Sequence, residues 1–267
     1  MIALTYNTVI VLIGVTLLGA SSGLIGCFAV LRRRALTGDA LAHAALPGLC
    51  LAVLMVGRLH TPAMLLGALV TGLIGVAIIS ALRRHTRIKE DSSIAIVLSV
   101  FFGAGVVLSQ MIQDRKNIQA AGLDTYIFGS TVGMQFEDVL WLAGLSIGTL
   151  AIVILLFKEF QLVAFDPDFA QSQGLPVYWL DLLLMGLIAV DVVIGLPAVG
   201  VLMVAALLII PSVTARFWTQ RLCWMLVLSA LFGVVSSVVG VLGSGVVCKM
   251  ATGPPNIQVA LGLLVLF

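Results

Sequence analysis

The sequence predicts an all-α fold, a polytopic transmembrane helical bundle of about eight to nine spans with one short cytoplasmic helix. Three observations predict it. Hydrophobic residues make up 61% of the 267-residue chain and charged residues only 10%, with a mean hydropathy of +1.21. That leaves too little polar surface to cover a water-soluble globule, so lipid must solvate most of the exterior. Apolar runs close to the ~20 residues a bilayer-crossing helix needs recur to the last residue, unlike a cleaved leader followed by a polar mature chain. These runs are also apolar on every face, whereas the strands of a membrane barrel are short and alternate.

The runs fall at 8–31, 40–57, 62–82, 93–112, 136–157, 178–197, 199–215, 222–247 and 256–267. The first ends at Arg32, Arg33 and Arg34, and the segment from Arg32 to Gly38 reads as a loop before the second. The fourth opens on Glu90 and Asp91, acids that a helix N-terminus favours. Pro197 stands between the runs at 178–197 and 199–215 and leaves open one broken helix or two. The small residues of GVVSSVVGVLGSG, 233 to 245, suit close helix packing, and the last run is short. With no linker, low-complexity tract or clear internal repeat, residues 1–267 read as a single transmembrane domain.

Between the fifth and sixth runs lies FKEFQLVAFDPDFAQSQGLPVYW, 157 to 179. Asp166 and Pro167 suit a helix start, Phe169 and Ala170 a short helix, and Gly174 with Pro176 a stop. So short a helix cannot stand alone in water and must lie against something, the membrane surface or a partner.

Alternating the spans with the N-terminus outside gathers Arg32, Arg33, Arg34, Arg83, Arg84, Arg87, Lys89, Lys158, Arg216 and Arg221 on one side. Arg58, Arg115, Lys116 and Lys249 fall on the other, so the first side is cytoplasmic by the positive-inside rule. The net charge of +2 thus speaks to orientation, and no nucleic-acid partner is expected. Cys27, Cys50, Cys223 and Cys248 lie far apart without a CxxC pair and read as buried, reduced residues.

The chain has no GxxxxGK[ST] phosphate loop, no HExxH, no GxSxG with plausible triad partners and no cysteine-rich zinc frame. No catalytic residues are assigned, which directs attention to polar residues within the apolar runs. In GDALAHAALPG, 38 to 48, Asp39 and His43 stand four apart, one turn apart on one helix face. A carboxylate with an imidazole suits first-row divalent cations such as manganese, iron or zinc, and the lack of thiolates argues against copper(I). Two ligands are too few for such an ion, so a second copy or a homologue would have to complete the set. Ala40, Ala42, Ala44 and Ala45 leave room for another helix to approach. Capping of the helix N-terminus by Asp39, with His43 a satisfied core residue, explains the same pattern.

Set in FAVLRRRALTGDALAHAALPGLCLAVLM, 28 to 55, the pair resembles the signature region of the permease subunits of ATP-binding-cassette importers for manganese, zinc and iron. Four further blocks resemble that family in order: KEDSSIAIVLSVFFGAGVVLSQ from 89, AGLDTYIFGS from 121, AFDPDFAQSQGLPV from 164 and VGVLMVAALLIIPSVTARFW from 199. The resemblance implies a bacterial inner-membrane importer with two permease subunits, identical or homologous, two cytoplasmic ATP-binding subunits that hydrolyse ATP, and an extracytoplasmic metal-binding protein. It implies no covalently bound cofactor, only the transported metal, with Asp39 and His43 on the path. It further makes the 164–177 block a coupling helix that docks on the ATPase, with Phe165 and Phe169 as apolar contacts, Asp166 and Asp168 as polar partners and Gly174 as its end.

Other polar residues are less committed. Glu90 is a weak candidate for the path beside its role at a helix start. Asp191, within VDVVIGLP, is costly to ionise unless water or a partner is near; it reads either as a path residue or as exposed at the outer boundary before Pro197. Asp181 has no assigned role, and His60 and His85 read as solvated loop residues. The AGLDTYIFGS stretch suits a re-entrant or interfacial segment, or a contact for the delivering protein. The competing functions are a stand-alone secondary metal carrier, for which repeats and several intramembrane charges would be expected, and a non-transporting membrane scaffold.

Overall fold

The computed structural model describes residues 6–57, 61–113, 129 and 136–247, and among these every regular element is a helix. In chain order they are α1 (Tyr6–Leu31), α2 (Ala35–Val56), α3 (Thr61–His85), α4 (Glu90–Gln113), α5 (Phe136–Leu155), α6 (Phe157–Phe165), α7 (Pro167–Ser172), α8 (Val177–Val199), α9 (Val201–Trp218) and α10 (Leu222–Val247). Among the described residues seven helices, α1 to α5, α8 and α10, are long and apolar enough to cross a membrane, and α9 is a shorter apolar helix. The run at 256–267 lies outside the described residues, as do Arg58, His60, Arg115, Lys116, Cys248, Lys249 and, apart from Gly129, AGLDTYIFGS.

The runs on either side of Pro197 are two helices, but the proline is not what divides them. Helix α8 continues through Pro197 to Val199, and the chain turns at Gly200, whose φ of +85° is the left-handed region that glycine tolerates. Pro47 and Pro211 likewise lie inside α2 and α9. Packing against neighbouring helices makes such prolines tolerable in a membrane bundle.

Helix α8 is apolar on every face and is the most enclosed of the candidate spans. It touches α2 and α3 on one side and α1, α5 and α9 on the other, so it joins the two halves of the bundle. Helix α1 packs against α10, α9 and α5; helix α2 packs against α3, α4 and α9. Helix α1 approaches both α10 and α9 closely through glycines. A methyl group added at Gly19 or Gly23 would collide with the backbone oxygens of Gly233 and Ser229, and one at Gly26 with that of Leu208 on α9. Ser212 and Ser229 both donate to the Gly23 carbonyl oxygen, at 3.1 and 2.7 Å, so these approaches also carry interhelical hydrogen bonds.

Two local elements differ from the expectation. Helix α2 begins at Ala35, a turn before the apolar run at 40–57, and converts most of the expected loop into helix. Between α5 and α7 the chain forms α6, which buries Phe160 and Val163 and sets Phe160 against Phe28 with ring centroids 5.7 Å apart. Cys27 and Cys50 are buried free thiols as expected, whereas Cys223 is exposed.

Substituting leucine for Gly23 should force α1 and α10 apart, at a cost of about 1–3 kcal/mol or more. The measurement is thermal unfolding of the detergent-solubilised protein, in which Gly23→Leu should lower Tm well below that of Ser229→Ala, which loses one of two donors.

Candidate functional site

The site residues are placed by how α1 ends and α2 begins. After Leu31 the Arg33 N–H bonds the Val30 oxygen and the Arg34 N–H bonds the Ala29 oxygen, with Arg33 left-handed at φ 58°. This is a Schellman stop in which arginine occupies the position usually held by glycine. It turns Arg33 outward to solvent while Arg32 and Arg34 point into the protein. Helix α2 starts immediately afterwards, with no side-chain cap at Arg34.

Asp39 therefore lies in the second turn of α2 and is not its N-cap, which rules out the capping explanation. His43 Nε2 stands 3.6 Å from Asp39 Oδ1, and the two side chains are 22% and 36% exposed. That separation is too long for a hydrogen bond, but donors on a tetrahedral ion at ~2.1 Å lie about 3.4 Å apart, so the pair is spaced to share one cation. Nδ1 of His43 is buried, so the nitrogen available to a ligand is Nε2, which faces Asp39. Phe102 of α4 packs edge-on against the imidazole at 5.0 Å and forms the wall beside it. Ala40, Ala42, Ala44 and Ala45 are fully buried, so they seat α2 against its neighbours in this chain. Only the face carrying Asp39 and His43 stays open. No group of three or more His, Cys, Asp or Glu side chains suited to a metal occurs among the described residues, so the pair supplies two ligands and no more.

Helix α7 forms where expected. Asp166 Oδ1 accepts the Phe169 N–H at 2.9 Å and Pro167 follows at the first helical position. The helix ends in another Schellman stop, with the Leu175 N–H on the Ala170 oxygen, the Gly174 N–H on the Gln171 oxygen, and Gly174 at φ +82°. Ala170 is buried against the body, while Phe165 and Phe169 are 62% and 49% exposed. Two large aromatics thus flank an exposed Asp168 on a helix anchored from behind. Asp166 divides its capacity, because one oxygen already caps the helix.

Asp181, in the second turn of α8, is the centre of a buried charge cluster. Its Oδ1 receives Arg34 Nη1 at 2.6 Å and Arg32 Nη2 at 3.0 Å, and its Oδ2 receives Arg83 Nη2 at 2.9 Å. Arg32 also donates through Nη1 to the Val163 oxygen of α6, at 3.1 Å. The end of α1, the start of α2, the end of α3, α6 and the start of α8 therefore meet at one basic end of the bundle.

Comparison with known proteins matches residues 5–267 to the ABC 3 transport family. The chain belongs to the ABC 3 transport family. It is 47% identical over 248 residues to the manganese transport system membrane protein MntC of Bacillus subtilis, an alignment covering 93% of this chain. The chain spans 57% of that relative's length. With the zinc transport system membrane protein TroC of Treponema pallidum it shares 41% identity over 95% of this chain and 85% of that protein. Among solved structures, PsaBC from Streptococcus pneumoniae in complex with Fab superposes with a TM-score of 0.83 at 29% identity, covering 98% of this chain and 90% of the other. The bundle thus shares the helical fold of that structure, and this ABC 3 member is a multi-pass membrane protein.

Two further sequence expectations meet the ABC 3 fold differently. Asp191 is not at an exposed outer boundary: it is fully buried, because α8 runs on for eight residues past it, to Val199. Ser21 and Ser22 donate to its two oxygens at 2.6 Å each, so it ties α8 to α1 with both oxygens engaged. Glu90 begins α4 as expected, but its side chain lies outside the described residues. His85 is exposed, as expected. The partners of Asp181 and the wall residue Phe102 were not signalled by the sequence. Only the recurrence of arginine at Arg32, Arg34 and Arg83 opposite a lone acid near the start of α8 hinted at the cluster.

Replacing Asp191 with alanine should leave the buried Ser22 hydroxyl without its acceptor, while Ser21 can still donate to the Leu18 oxygen at 3.0 Å, at a cost of about 1–3 kcal/mol; asparagine keeps an acceptor and costs less. Thermal unfolding of the two variants in detergent measures the difference.

Proposed function

We propose that the chain is the permease subunit of an ATP-driven importer of a divalent transition metal, manganese, zinc or iron. It would form the translocation path with a second permease subunit, identical or homologous. The observation that carries this reading is the Asp39–His43 pair, two borderline donors 3.6 Å apart on the one open face of an otherwise buried stretch of α2. Two ligands from each of two subunits make the four that such an ion needs. Family membership supports the transport role, and the named manganese and zinc transport relatives support the class of cargo.

The basic end carrying Arg32, Arg34 and Arg83 is the cytoplasmic one by the positive-inside rule, which sets the N-terminus outside and puts α7 in the cytoplasm. There α7 is the coupling helix, offering Phe165 and Phe169 to a groove of a separate ATP-binding subunit and Asp168 to polar partners. ATP hydrolysis belongs to that subunit, since this chain has no phosphate loop. Closure of two ATPases would draw the coupling helices together and open the path alternately to each side, with an extracytoplasmic metal-binding protein delivering the ion. No covalent step and no resident cofactor is involved.

In proteoliposomes holding the complete complex, Asp39→Ala and His43→Ala should each reduce import of the transported ion by at least the ~10–100-fold that loss of an outer-sphere partner of a metal ligand costs. Import by either variant at the wild-type rate would remove the pair from the path. Phe169→Asp places a charge in the proposed apolar contact, so the ATPase subunit should no longer co-purify with this chain. Retention of the full ATPase complement would overturn the assignment of α7.

A further inference from the structure

We propose that Asp181 is a positioning residue that carries movement of the coupling helix to the Asp39–His43 pair, acting through Arg32 and Arg34. The inference rests on the permease reading above and adds a residue to its mechanism. Asp181 belongs to the first turns of α8, which follows α7 after only Gln173 to Pro176, so the start of α8 must travel with the coupling helix. Arg32 fastens the other flank, bonding Asp181 with one nitrogen and the Val163 oxygen of α6 with another, at 3.0 and 3.1 Å. The coupling helix is therefore held on both sides by one guanidinium.

From there the connection to the cargo face is short. Arg34 is the residue immediately before α2, and its 2.6 Å bond to Asp181 is made by side chains that are 3% and 4% exposed. Asp39 follows five residues later on the same helix, and a helix transmits displacement at its end along its axis. Arg83 extends the same carboxylate to the last turn of α3, which packs against α2. Arg34 and Asp181 are buried, whereas Arg32 and Arg83 are partly exposed at a cleft, so parting Arg34 from Asp181 would leave uncompensated buried ions and these two must move together. Such a unit is the kind of rigid, packed element through which coupling between two sites can pass. Beside it, a cleft of about 400 Å³ bordered by Gln171, Pro176 and Tyr178 gives the α7–α8 segment room to move relative to α3.

The test uses the complete complex in proteoliposomes and reads two quantities together: ATP hydrolysed and metal imported, with manganese, zinc and iron each supplied with the delivering protein. Two variants are used, Asp181→Asn and the milder Arg32→Gln, which leaves Arg34 and Arg83 on the carboxylate. The expected result is that both complexes assemble and hydrolyse ATP at the basal rate, while metal imported per ATP falls about 10-fold or more, within the range of ordinary allosteric couplings. Asp181→Glu should recover part of the ratio. A wild-type ratio in either Asp181→Asn or Arg32→Gln overturns the proposal. So does failure of both variants to assemble, which would assign the cluster to folding alone. A wild-type complex that hydrolyses ATP but imports none of the three ions would instead overturn the proposed function, independently of Asp181.

Discussion

One carboxylate shared by three guanidiniums determines how the basic end of this bundle is assembled. Taking Asp181 and Arg34 out of water is expensive, and only a closed geometry with short, charge-assisted bonds repays it. The partners lie far apart in sequence: Arg34 is 147 positions and Arg83 98 positions from Asp181. Satisfying them all at once fixes the relative placement of α1, α2, α3 and α8. It also explains the left-handed Arg33, because only that turn sends Arg32 and Arg34 inward together. The start of α2 is consequently held within the protein rather than at an open surface, and Asp39 enters the bundle in the second helical turn.

A second constraint works deeper in the bundle. Between apolar helices in lipid there is no hydrophobic driving force comparable to that in water, so close contact and hydrogen bonds must supply the attraction. The α1/α10 seam does this by reducing side chains to hydrogen atoms at Gly19, Gly23 and Gly233, and the Ser229 hydroxyl of α10 and the Ser212 hydroxyl of α9 are both aimed at the Gly23 carbonyl. Asp191, held by Ser21 and Ser22, fastens the same helix to α8. Helix α1 is thereby locked to the frame on two faces, whereas α2 keeps the face carrying Asp39 and His43 partly open.

Much of the fold was legible in the sequence because a membrane imposes a length and an apolarity that single runs reveal without knowledge of neighbours. The start of α2 was not, because Asp39 interrupts the hydropathy of its own helix, and an acid within a span looks locally like a boundary. Helix α6 was hidden for the opposite reason: Phe157, Phe160 and Val163 extend the preceding apolar run, although their spacing marks one face of a separate helix. The short helix at Asp166–Gly174 was read correctly because cap, proline and glycine act within a few residues. For the site, Asp39 and His43 were visible as a spacing, since helical geometry brings positions four apart together. Phe102 and the Asp181 cluster depend on which helices adjoin, and no local pattern encodes that. The exposed-boundary reading of Asp191 failed because Pro197 resembled a helix end that the packed bundle does not require.

Three aspartates within the apolar spans thus occupy two conditions, separated by whether their oxygens are satisfied. Asp181 and Asp191 are enclosed, with every carboxylate oxygen held by a short bond. A cation could bind either only by breaking contacts that hold helices to one another. Asp39 is partly open, and the imidazole of His43 stands 3.6 Å from it, too far to satisfy it by a hydrogen bond. On the proposed function, an ion entering there would displace little and gain two donors, the balance a transport site needs: attraction sufficient for entry, yet weak enough for release. Two donors per chain would meet it where a complete four-ligand cage in one chain would trap the ion, with the second pair supplied by a subunit able to move away.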